Sequence, residues 1–166
     1  MTPNTYLRTA IVPALSLLPP RMGTPEAVAM LIAIALEESG LRHRRQIGGP
    51  ARSHLQFELG GLQGVLKHYA SAPHAAALID ALDYSDCTPA ELHAAMELDG
   101  VLACAMGRLL LYTDPHPLPA RGQPAPVSWA YYWRNWRPGA FKDWTPHQAP
   151  PDKWAPYVAT AWAALD

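Results

Sequence analysis

Two adjacent carboxylates, Glu37 and Glu38, close a strongly apolar stretch and are the side chains best placed for acid chemistry. At helical spacing Glu38 shares a face with Leu31, Ile34 and Ala35, and Glu37 with Met30, Ala33 and Ile34. An apolar surrounding disfavours a charged carboxylate. The partial negative charge of a helix C-terminus does the same. Both effects raise the pKa toward what a general acid needs near neutral pH, as in protonating the leaving oxygen of a glycosidic bond. Periodicity alone does not choose between the two glutamates. It also fits a pair of solvated helix-end side chains.

Other chemistry is thinly represented. Glu58 is the best second carboxylate by position, with Asp99 and Asp114 behind it. The seven histidines (His43, His54, His68, His74, His93, His116 and His147) show no metal-ligand spacing, so no metal is expected. His54 is the one to watch, because it falls in a loop that would flank the acid. Gly60, Gly61 and Gly64 are too few and wrongly spaced for a phosphate-cradling loop, and no Gly-x-Ser-x-Gly elbow occurs. No cofactor is expected. Cys87 and Cys104 match no zinc or redox spacing; they read as two thiols, with a disulfide left open.

The elements that must carry these residues are mainly helical. Thr24-Pro25-Glu26 is a helix start, with a capping hydroxyl, a proline in the first turn and an acid on the helix dipole. That helix should run to about Ser39 and end at Gly40. Its apolar residues cover much of its circumference, as in a central helix. A first helix is expected over Asn4 to Leu18, kinked or broken at Pro13. Gly48 to Gly64 reads as irregular, with room for a short β-hairpin around Ile47 to Phe57. Thr88-Pro89-Ala90-Glu91 is a capping box that should open a long helix reaching Leu111. Thr113 to Val127 is proline-rich and reads as an extended loop. Two more helices are expected near Ser128 to Trp136 and Lys153 to Leu165.

The chain has 166 residues, 49% of them apolar, which suits one domain spanning 1–166 with a real core. Its net charge of −1 supplies no field for nucleic acid, although Arg42, His43, Arg44, Arg45 and Arg52 crowd one segment. Met1 to Thr9 lacks the order of a signal peptide, and Ala27 to Leu36 is too short to span a bilayer.

The text around Glu38 resembles a known superfamily. Ala33 to Leu41, followed by Gly49 to Phe57, is similar to the first two motifs of the lytic transglycosylases and goose-type lysozymes. There a helix ends in Glu-Ser, and a glycine- and alanine-rich turn leads to Leu-x-Gln. The resemblance implies Glu38 as the catalytic residue, followed by Ser39, and Gln56 lining the sugar cleft. A third family motif, Ala-Tyr-Asn, is matched by Ala130-Tyr131-Tyr132. Tyr131 is the carried-over tyrosine, Tyr132 replaces the asparagine, and either can be the one that points inward. The Gly49 to Gly61, Leu109 to Pro119 and Trp136 to Gly139 stretches resemble a group of short phage-encoded proteins.

The resemblance implies a single lysozyme-like domain acting on the peptidoglycan glycan strand. A lytic transglycosylase needs one carboxyl group, whereas a hydrolase needs a second. Glu58 would serve a hydrolase, or would pair with Arg52. Trp129, Tyr131, Tyr132, Trp133 and Trp136 suit sugar stacking, but their spacing also fits a core stripe. Such a protein would reach the periplasmic wall from a phage virion or from the host cytoplasm, and other virion proteins are candidate partners. The competing expectation is a non-enzymatic virion or wall-binding protein that keeps the fold. A nucleic-acid module built on Arg42 to Arg52 is disfavoured by the near-zero charge.

Overall fold

Pro13 does not break the first helix. The computed structural model, which describes residues 1–166, winds α1 over Pro3–Tyr6, a π-helical turn over Leu7–Ile11 and α2 over Val12–Ser16. Proline lacks the N–H that an α-helix needs and crowds the carbonyl four residues earlier. The wider turn just before it, in which the Val12 N–H reaches back to the Leu7 carbonyl, absorbs that conflict. Tyr6, Ala10, Ile11, Ala14 and Leu15 face inward.

The central helix α3 is Pro25–Ser39. The Thr24 hydroxyl accepts the Ala27 N–H at 3.3 Å, and Gly40 closes the helix at φ +58°. Every residue from Ala27 to Ala35 is buried. Burying Leu31, Ile32 or Ile34 is worth about 1.5–3 kcal/mol each relative to exposure.

Glycine-rich sequence beyond the central helix still forms a helix. Leu59–Lys67 is α4, where an irregular segment was expected. Its Leu62 and Val65 are fully buried, so tertiary packing overrides the low helix propensity of its glycines. A further helix, α5, spans Ala72–Ala81 and buries Ala75 and Leu78. The long helix expected from Thr88 is two helices, α6 over Pro89–Ala95 and α7 over Gly100–Tyr112. Asp99 makes the break: its Oδ1 accepts the N–H groups of Val101 and Leu102, both at 2.9 Å, and starts a new helix. The capping box at Thr88 and Glu91 forms as expected.

The chain closes with α8 over Ala125–Trp136 and α9 over Trp154–Ala163. The α9 helix packs most extensively on α3, which α7 and α8 also contact. Around Ile47 to Phe57 only isolated bridges form, Arg45 with Arg52 and Arg52 with Phe57, not a hairpin of strands. The fold is thus mainly α, and no helix is long and apolar enough to cross a membrane.

Candidate functional site

Glu38 sits in the last turn of α3 on the wall of a cleft of about 850 Å³. The cleft also takes in Glu37, Gln56, Glu58, Tyr132 and Trp136. The Tyr132 hydroxyl donates to Glu38 Oε1 at 2.6 Å. Burial pushes the Glu38 carboxyl up to about 7, against the opposing pull of the Tyr132 hydrogen bond. The neighbouring Glu37 raises it further, Lys153 lowers it, and Glu58 raises it least. Glu38 is therefore poised between proton donor and carboxylate near neutral pH.

Glu37, the competing acid, has a different environment. Its side chain is only 3% exposed, and its Oε1 lies 2.9 Å from the Lys153 ammonium. Glu37 Oε2 is buried without a partner. The pair links the end of α3 to the start of α9, so the Glu37 carboxylate is engaged in a contact between helices.

Ser39 does not line the cleft. It is buried, and its hydroxyl donates toward the His54 carbonyl at 2.7 Å, with the Ala35 carbonyl at 3.0 Å. It also accepts the Leu41 N–H at 3.2 Å. Ser39 thereby fixes the Glu38 turn to the cleft loop. That loop is a tight turn closed by reciprocal hydrogen bonds between Arg52 and Phe57, at 2.9 and 2.7 Å. Ser53 and Gln56 adopt left-handed conformations, φ +66° and +47°. Such strain persists where surrounding structure over-determines the backbone. Here the clamps come from three helices. Ser39 holds the His54 carbonyl, the His93 ring nitrogen meets the Phe57 carbonyl at 2.7 Å, and the Trp136 indole donates to the Leu55 carbonyl at 3.0 Å.

Gln56 and Glu58 both line the cleft. The Gln56 amide donates to the Ser53 carbonyl at 2.7 Å, so the side chain is held in place. Glu58 is exposed and precedes α4. Arg52 does not pair with it; the Arg52 guanidinium lies 3.2 Å from Glu97 instead.

The two tyrosines part company. Tyr132 reaches Glu38, with its ring stacked on Trp154 at 5.0 Å between centroids. Burial and the Glu38 carboxylate hold its phenol protonated. Tyr131 is buried away from the cleft, where its hydroxyl donates to the Leu111 carbonyl at 2.9 Å. Trp129 is fully buried among Tyr132, Phe141, Trp144 and Trp154. Of the C-terminal aromatics, then, Tyr132 and Trp136 face the cleft and Trp129 belongs to the core.

His54 turns away from the acid. It is buried against Tyr6, its Nδ1 is 3.1 Å from the His43 carbonyl, and burial lowers its pKa. Both cysteines are free thiols, Cys104 buried with its Sγ 3.0 Å from the Tyr6 hydroxyl. Sequence reasoning did not find Lys153, whose role depends on α9 folding back along α3, nor Arg137, which also lines the cleft.

Comparison with protein-family models, characterised proteins and solved structures returned no match.

Proposed function

We propose that this chain is a phage-encoded, peptidoglycan-cleaving enzyme of the lytic transglycosylase kind, with Glu38 as its general acid and base. The observation that carries this reading is one carboxyl group raised to about 7, hydrogen-bonded by a buried tyrosine, on the wall of a large cleft. Protonated Glu38 gives its proton to the oxygen joining N-acetylmuramic acid to N-acetylglucosamine, and the C1–O bond breaks. The resulting carboxylate is stabilised by the Tyr132 hydrogen bond. It then takes the proton of the muramyl 6-hydroxyl as that oxygen bonds to C1, which yields a 1,6-anhydro end. Gln56 and the exposed face of Trp136 offer polar and apolar contacts to the sugars. A hydrolase would need a second carboxylate directing water, and Glu58 is the residue for that role. The enzyme acts on the wall from a virion or after release from the host cytoplasm, with other virion proteins as partners.

The test is product analysis. Purified protein is incubated with peptidoglycan, and the soluble muropeptides are weighed by mass spectrometry. Anhydro products that vanish in Glu38→Gln support the reading. Reducing ends would make the enzyme a hydrolase and give Glu58 its role. No release under any condition would contradict catalysis and leave a wall-binding virion protein.

A further inference from the structure

A second concavity, of about 1010 Å³, shares no lining residue with the acid cleft. It lies between the end of α7, the turn before α3 and the loop after Thr113, with Arg21, Arg108, Tyr112, His68 and Tyr69 on its walls. Arg108 is its unusual member. It is only 5% exposed, yet it forms no ion pair. Its Nε donates to the Met22 carbonyl at 2.8 Å, while its Nη1 is buried with no partner. A buried cation without a counter-ion is costly to desolvate, and a methionine would fill similar space without that cost.

The surroundings add charge of the same sign. The Arg21 and Arg108 guanidiniums both approach the Tyr112 ring, at 5.9 and 5.6 Å from its centroid. Arg21 also donates to the Tyr112 hydroxyl at 3.2 Å and forms no ion pair. Two carboxylates border the pocket, Glu26 and Asp114. Asp114 is already saturated, by Arg134 at 2.6 Å, Asn135 at 2.7 Å and the His116 ring at 2.8 Å. Glu26 stands in the first turn of α3, where the helix dipole favours its charge, and pairs with neither arginine. Two guanidiniums thus remain without an anion of their own.

Guanidinium groups match planar and tetrahedral oxyanions by two-pronged hydrogen bonding. We propose that this pocket binds a small oxyanionic group, a carboxylate or a phosphate, through Arg108 and Arg21. The rings of Tyr112 and of Tyr69, which is 87% exposed, supply the wall for whatever organic part carries the group. The inference stands on the pocket alone and does not depend on the acid cleft.

Inorganic phosphate and acetate are the probes, each compared with chloride at matched ionic strength in a thermal melt of the full chain. A bound anion raises the Tm by about 2–4 °C at concentrations well above its Kd. The expected result is a rise with at least one probe that is lost in Arg21→Gln and in Arg108→Lys. A rise with phosphate alone names a phosphate-bearing ligand, and one with acetate alone a carboxylate-bearing ligand. Arg21 is exposed, so Arg21→Gln keeps the test valid even if the Arg108 variant fails to fold. No rise with either probe, or a rise unchanged in Arg21→Gln, overturns the proposal.

Discussion

The Tyr132 hydroxyl and the Glu38 carboxylate meet at 2.6 Å, joining the middle of α8 to the last turn of α3. Two opposing influences converge on that one bond. Burial favours the neutral acid, and the phenol's hydrogen bond favours the carboxylate. The resulting value of about 7 makes the group able to give and to take a proton at the same pH.

Removing the phenol should therefore raise the acid further. In Tyr132→Phe the carboxylate loses its donor, so the alkaline limb of the pH–rate profile on peptidoglycan moves upward from about 7. Lys153→Met should move it in the same direction, because the Lys153 ammonium also lowers the Glu38 pKa. A limb that moves downward in both variants would show that another group sets it.

Stability should carry the same signature. The Glu38 carboxyl rises from 4.5 to about 7 on folding, so the folded state holds its proton more tightly than the unfolded state. Its contribution is complete below the unfolded value and is lost as pH rises through about 7. Glu38→Gln removes that loss. The variant should gain about 1–3 kcal/mol on the wild type between pH 4 and pH 8 in urea denaturation. Parallel stability curves for the two proteins would contradict the raised value.

How much of this was legible in the sequence depends on how local each feature is. The central helix was readable because Thr24, Pro25, Glu26 and Gly40 mark its ends within a few residues of the chain. The Glu-Ser pair and Gln56 stand out only through the resemblance; Gln56 lies on the cleft wall, but Ser39 is buried off it. The α4 helix was not readable, since its stability comes from Leu62 and Val65 packing on other helices while its glycines point the other way. Asp99 stands out in the sequence only as a weaker second carboxylate; its capping of Val101 and Leu102 is concealed by an apolar pattern that runs on as if one helix reached Leu111. Tyr131 and Tyr132 differ by one helical step, and only the packing of α8 on α3 decides which one meets Glu38. Lys153 needed the return of α9 along α3 before its pairing with Glu37 existed at all.

Ser39 should prove structural. Ser39→Ala leaves the buried His54 carbonyl without its hydroxyl donor, at a cost of about 1–3 kcal/mol by chemical denaturation. A loss larger in activity than stability explains would mean that Ser39 touches substrate.

Gly107 marks a close approach of α7 to the cleft loop and α3. A Cβ there would lie 2.7 Å from Leu55 Cδ1 and 3.3 Å from Leu31 Cδ2, so a side chain on α7 would have to push both leucine side chains aside. Gly107→Ala should destabilise the protein by about 1–3 kcal/mol through overpacking. It should also shift the Trp136 indole N–H resonance, because the new methyl would lie 3.5 Å from the Trp136 ring and against the Leu55 side chain, whose carbonyl accepts that N–H. An unchanged indole signal would show that the cleft loop does not feel α7.

The assignment of the acid is tested most directly by rates of muropeptide release from Glu38→Gln and Glu37→Gln side by side. Loss of a general acid costs about 10²–10⁴-fold in rate. That loss is expected for Glu38→Gln, with Glu37→Gln retaining activity in proportion to its folded fraction. The opposite pattern, or equal activity in Glu38→Gln and wild type, would contradict Glu38 as the acid.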